Sequence, residues 1–161
     1  MKKDSHGKQF SAQMSDAVRD QLLQTQDECT FIWQGKSDAL GTIMSFLWAD
    51  NCVWLTTNDN RPRVNAVRKT GRASVVISSA GTTLGDSRCI SISGSCTVFD
   101  DGDTRRWFFP LFCQKLLPDN AKAQETMRDL LDRDGQIILR VQPDKMTAYD
   151  GDALMRTLES L

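Results

Sequence analysis

The chain has 161 residues, 40% of them hydrophobic, and a formal net charge of −1. That length suits one domain with a real core, and the near-neutral balance argues against both a disordered polyelectrolyte and a nucleic-acid binder. No uninterrupted apolar run approaches the roughly 20 residues of a membrane span, and the opening MKKDSHGKQFSAQ has no apolar h-region behind its two lysines, so the chain reads as cytoplasmic and free of a membrane.

A polar tail of about residues 1–10 carries the only histidine, His6. Met14, Val18 and Leu22 then recur at four-residue spacing, which predicts an amphipathic helix over Ser11–Gln26. Three short β-branched and aromatic runs follow: Cys29–Trp33, Gly41–Trp48 and Cys52–Thr57, the last two joined by a tight turn at Ala49, Asp50 and Asn51. They read as a meander. A short helix is expected over Pro62–Thr70, because Pro62 suits the first helical position and Gly71 a left-handed C-cap; Val64 and Val67 can face inward from it. Strands are expected at Arg72–Ser79 and Arg88–Phe99. In the second of these, Ile90, Ile92, Cys96 and Val98 alternate with serines and Thr97, the mark of a half-buried strand, and Gly94 in its middle signals a bulge or a sharp bend. Trp107, Phe108, Leu111, Phe112 and Leu116 share a helical face that Pro110 should kink or divide. Ala123, Met127, Leu130 and Leu131 form a second stripe, and Gln136–Asp150 reads as a strand interrupted at Pro143. The sum is mainly β with flanking helices (α+β): about six strands, one domain over residues 1–161, and a small antiparallel barrel as the economical way to hide the strand edges.

The changeover WLTTNDNRPRV, Trp54–Val64, sets Arg61 and Arg63 at a helix N-terminus, where the macrodipole disfavours cations. Between Asn60 and Gly85 there is no acid, while Arg61, Arg63, Arg68, Lys69 and Arg72 all fall there. An anion is the simplest missing partner. A phosphate would meet free backbone N–H groups, the hydroxyls of Thr56 and Thr57, and two guanidiniums able to bind it bidentately. Arg68, Lys69 and Arg72 read as a solvated face.

Other chemistry is hard to build from this inventory. Five cysteines with no C-x-x-C pair argue for reduced thiols and against a zinc site. A lone tail histidine cannot serve a Ser–His–Asp or Cys–His arrangement, and neither G-x-x-x-x-G-K-S/T nor G-x-G-x-x-G occurs. Any reaction would have to be carried by a cofactor.

The stretch GTIMSFLWADNCVWLTTNDNRPRVNAVRKTGRASVVIS resembles the flavin-binding core of the pyridoxamine 5′-phosphate oxidase-like split barrels, in which a strand ending in Thr or Ser leads through a short basic turn into a helix and another strand. The resemblance covers Cys29–Phe99 and implies a six-stranded antiparallel split β-barrel of the FMN-binding type. It further implies a homodimer with FMN at the subunit interface and a small-molecule substrate. The implied cofactor-binding residues are Met44 and Ser45, beside the isoalloxazine ring, with Thr56, Thr57, Arg61, Arg63 and Val64 at the strand-to-helix turn. Thr57 matches the hydroxyl position, Arg63 one that is often Lys, and Arg61 one that is often Ser. The chain ends in YDGDALMRTLESL where true pyridoxamine-phosphate oxidases carry Trp-Arg-Leu-x-Pro, so pyridoxamine phosphate is not the expected substrate. A flavin-dependent oxidoreductase is the implied activity. A deazaflavin-dependent reductase and a non-catalytic flavin binder are alternatives on the same barrel, and no residue is marked as a catalytic acid or base.

Overall fold

The computed structural model describes residues 12–159; the expected tail with His6, and Ser11, lie outside the described residues. Its elements are α1 (Asp16–Thr25), β1 (Glu28–Gln34), β2 (Ala39–Ala49), β3 (Cys52–Asn58), α2 (Pro62–Thr70), β4 (Arg72–Ser78), β5 (Arg88–Phe99), α3 (Gly102–Leu116), α4 (Ala121–Leu131), β6 (Gln136–Asp150) and α5 (Gly151–Glu159). The strands close into a barrel in the order β1-β2-β3-β6-β5-β4, each neighbouring pair antiparallel. Closure leaves no strand edge exposed.

That circular order dictates where α2 goes. β3 and β4 stand opposite one another and run in opposite directions, so the chain leaving β3 must cross one mouth of the barrel to enter β4. α2 is that crossing, and its Val64 and Val67 drop into the core. Met14, Leu22 and Leu23 join the same core cluster from the other mouth, where β1 begins. The β2–β3 turn has Asp50 at φ 51° and Asn51 at φ 56°, the two-residue turn whose twist matches a hairpin. Outside the barrel, Phe108, Phe109 and Phe112 of α3 cover Cys52, Trp54 and Ile138 of β3 and β6. Trp54 meets Trp107 edge to face at 4.7 Å and donates its indole N–H to Ala49 O.

Several boundaries differ from expectation. α1 begins at Asp16 because the Ser15 hydroxyl accepts the N–H of Val18 as an N-cap; Met14 is core, but from the segment before the helix. α3 runs through Pro110 without dividing. Pro110 and Arg106 lie on the exposed side, where water can take the carbonyl that proline cannot. On the same helix Phe109 and Cys113 are buried and Leu111 is 47% exposed, since the face that buries adjacent phenylalanines removes more apolar area. Leu130 of α4 is likewise exposed, leaving Met127 and Leu131 against the core. β6 continues through Pro143: Gly94 pairs with Pro143 and Ser93 with Lys145, which leaves Asp144 as a bulge, the place in a ladder where a missing N–H does least harm. α5 adds to the expected elements; Asp150, whose carboxylate accepts the N–H of Ala153, marks its start.

All five cysteines are free, and Cys29, Cys52, Cys96 and Cys113 are buried. Burial pushes the Cys29 and Cys96 thiols up from 9.0 to about 12, and raises Cys52 and Cys113 as well. Lys115, whose ammonium donates to Gln26 O (2.6 Å) and Phe46 O (3.0 Å), is pulled down by burial from 10.5 to about 8. The signs oppose. Between about pH 8 and 10.5 the unfolded chain holds the Lys115 proton more tightly than the folded one, so this group adds stability as pH rises. From pH 9 to about 12 the folded thiols keep protons that the unfolded chain releases, so they remove stability. Of these groups only the thiols act above pH 10.5, and denaturant titrations should show their contribution as stability falling there. With a thiol reagent at pH 8, these four cysteines should react at the rate of global unfolding, whereas denatured protein should give five thiols at once. Rapid labelling of Cys29 or Cys96 in folded protein would contradict this burial.

Candidate functional site

β3 delivers Thr57, 5% exposed, to the α2 mouth of the barrel. The chain turns through Asp59 and Asn60, the N–H of Arg61 bonding to Asn58 O (3.2 Å), and enters α2 at Pro62. Arg61 occupies the N-cap, and no side chain caps the helix there. Arg63 folds back so that its Nη2 donates to Thr57 Oγ1 at 2.7 Å. Its Nε is buried with no partner, and burial, followed by the neighbouring Arg61 cation, pulls its pKa below the ordinary guanidinium value. Two cations, one of them partly desolvated, therefore share an uncapped helix N-terminus. Among the described residues neither has a carboxylate partner. The surroundings favour the arrival of an anion, which would stabilise the charged guanidinium and meet the helix dipole with the right sign.

The rest of the basic segment is arranged differently. Arg68 pairs with Asp59 at 2.6 Å and Arg72 with Asp144, so both are exposed ion pairs rather than free solvated cations. Asp59 and Asp144 lie outside the acid-free stretch, and only the folded turn and the β6 bulge bring them within reach.

Of the expected cofactor residues, Thr57, Arg61 and Arg63 converge at this mouth. Thr56 alternates to the outer face of β3, where its hydroxyl donates to Ile137 O (2.9 Å) and accepts from Gln136 Nε2 (2.8 Å). Met44 and Val64 have core side chains, so what they present to a ligand is backbone. Ser45 is on the outer face of β2, opposite Glu28. Near it Ile43 is 67% exposed, on a sheet face shared with Thr30, Ile32, Ser74 and Val76.

Another cleft, of about 740 Å³, lies at the other mouth beside Arg19, Trp48, Asp50, Gln142 and Met146. The cation in its lining, Arg19, is already bonded to Asp16 and Asp20, which leaves it less able to hold an anion than the α2 mouth. Among the described residues no group of His, Cys, Asp or Glu could hold a metal ion, and no helix is long and apolar enough to cross a membrane.

In sequence the chain matches no protein-family profile and no curated protein. In structure it is similar to a conserved hypothetical protein of Mycobacterium tuberculosis, with 17% identity, TM-score 0.74 and coverage of 91% of this chain and 88% of that one. It is also similar to a candidate pyridoxamine 5′-phosphate oxidase of Listeria innocua, at 12% identity, TM-score 0.60 and coverage of 83% and 98%. A third neighbour is a FAD-binding protein of Mesorhizobium loti, at 11% identity, TM-score 0.58 and coverage of 84% and 94%. At these identities the likeness is one of fold: the chain has the six-stranded split barrel that the resemblance implied.

Proposed function

We propose that this chain is a flavoprotein that binds FMN, with the phosphate at the N-terminus of α2, and acts as an oxidoreductase on a small molecule. The observation that carries the reading is the pair Arg61 and Arg63, without carboxylate partners among the described residues, at an uncapped helix start and with Thr57 orienting one guanidinium. Arg63 would supply bidentate donors, Arg61 a second charge, and the α2 backbone its unpaired N–H groups. The Mesorhizobium neighbour, described as FAD-binding, and the Listeria neighbour support a flavin on this barrel. A bound flavin would supply hydride or electron transfer, and the protein's part is to bind and orient it. The five free thiols suit a reducing cytoplasm.

The reading includes a homodimer with the flavin at its interface. The face around Ile43, Ile32 and Val76 is apolar, a second copy would cover it, and Ser45 on the same face would then lie at the junction. Sedimentation should show a species near twice 18.1 kDa, and Ile43→Glu should shift it to monomer and weaken FMN binding. A clean monomer that binds FMN tightly would sink the shared site. The visible spectrum of protein incubated with FMN tests the cofactor itself: retained, perturbed flavin bands after gel filtration are expected. Retention of a deazaflavin alone, with its shorter-wavelength absorption, would replace FMN by that cofactor.

A further inference from the structure

The cleft of about 740 Å³ at the α1 mouth is poorly made for an anion and well made for a cation. Three elements build it. α1 presents Arg19 and Asp20, the β2–β3 turn presents Trp48, Asp50 and Asn51, and β6 presents Gln142 and Met146, one on each side of the Asp144 bulge. Arg19 is neutralised where it stands: its Nη1 donates to Asp16 (2.8 Å), and its Nη2 and Nε donate to Asp20 (2.7 and 2.9 Å). Asp50 has no such partner. Among the described residues its carboxylate meets no cation, and the side chains of Asp50, Asn51 and Gln142 make no hydrogen bond. All three are exposed and open to a ligand. Around the cleft Arg19 is outnumbered by Asp16, Asp20 and Asp50, so the fixed charge there is negative.

Trp48 and Met146 face these groups, each half-buried against the core and lining the cleft. An indole attracts a cation to its face, and a thioether packs well against an aromatic ring. Among the described residues no group of His, Cys, Asp or Glu could hold a metal ion, so the cation these walls suit is organic. A primary ammonium brings three N–H donors and no acceptor, a match for one carboxylate and two amide carbonyls. We propose that the cleft is a binding site for a small primary amine, with its ammonium on Asp50, Asn51 and Gln142 and its apolar body on Trp48 and Met146. The site lies at the mouth opposite α2 and stands independently of the flavin reading.

Calorimetric titration of the full chain with benzylamine, benzyl alcohol and benzoate, three probes of similar size, tests this at about pH 7, where the first is a cation, the second neutral and the third an anion. The parent should bind benzylamine about tenfold more tightly than benzyl alcohol, and benzoate should bind more weakly than either. Asp50→Asn keeps the side-chain shape and suits the left-handed backbone at φ 51°, so the variant should melt with the parent. It should bind benzylamine about tenfold less well and benzyl alcohol as before. Equal affinities of the parent for benzylamine and benzyl alcohol, preference for benzoate, or no benzylamine binding at millimolar concentration would overturn the amine site. So would an Asp50→Asn protein that binds benzylamine as tightly as the parent. The ranking of the three probes on the parent tests the proposal even if the variant does not fold.

Discussion

Arg63→Ala should weaken FMN binding by about one to two powers of ten and leave riboflavin almost untouched, because charge-assisted hydrogen bonds are worth about 1.5–3 kcal/mol each. The contrast follows from geometry. Thr57 holds Nη2 at 2.7 Å while Nε stays buried and unpartnered, so the side chain is placed in advance and little is spent ordering it when a phosphate arrives. Riboflavin lacks that group. Removing Arg63 also relieves a desolvated cation that sits beside Arg61, so the flavin-free variant should melt no more than a few degrees from the parent. Arg63→Glu should bind FMN still less well, since it adds repulsion to the lost contact. Fluorescence quenching that gave equal losses for FMN and riboflavin, or none for either, would mean that the phosphate lies elsewhere.

The largest effect on stability is expected at Gly94. A Cβ there would lie 1.8 Å from the carbonyl oxygen of Gln142 and 2.7 Å from its carbon, both backbone atoms of β6. Nothing at the end of a flexible chain can move aside, so Gly94→Ala must push the two longest strands apart at the bulge or flatten it. We expect a loss of about 3 kcal/mol or more, against the usual 1–3 for overpacking, seen as a fall in Tm of about 6–12 °C for a domain of this size. Two other glycines calibrate the measurement. Gly71→Ala has open space around it but φ +63°, and should cost about 1–2 kcal/mol through the left-handed backbone alone. Gly102→Ala meets nothing within 4 Å and has no such φ, and should change stability by less than about 0.5 kcal/mol. If Gly94→Ala melts with Gly102→Ala, the close approach of β5 and β6 is wrong.

Local chemistry determined much of this protein by itself. Pro62 and Gly71 bracket α2 at the expected residues because a missing N–H and a left-handed φ are properties of single residues. The alternation of Ile90, Ile92, Cys96 and Val98 marked β5 from end to end because the strand period needs no knowledge of a partner. Pro143 shows where that kind of reading stops. A proline in a strand pattern signals a break, and only the pairing with Gly94 turns the break into a bulge. Leu111 and Leu130 fit an apolar stripe in sequence, yet which side of each helix meets the barrel was decided by the bulk of Phe108, Phe109 and Phe112 over Trp54 and Ile138. The candidate site divides in the same way. That Arg61 and Arg63 open an acid-free stretch could be read from the chain, since that stretch is contiguous; that Asp59, just before it, pairs with Arg68 and with neither of them could not. That Arg72 is paired with Asp144 and that the Thr56 hydroxyl is engaged by Gln136 and Ile137 depend on residues far apart in sequence. Those contacts exist only once the closed order of strands sends α2 across the mouth of the barrel.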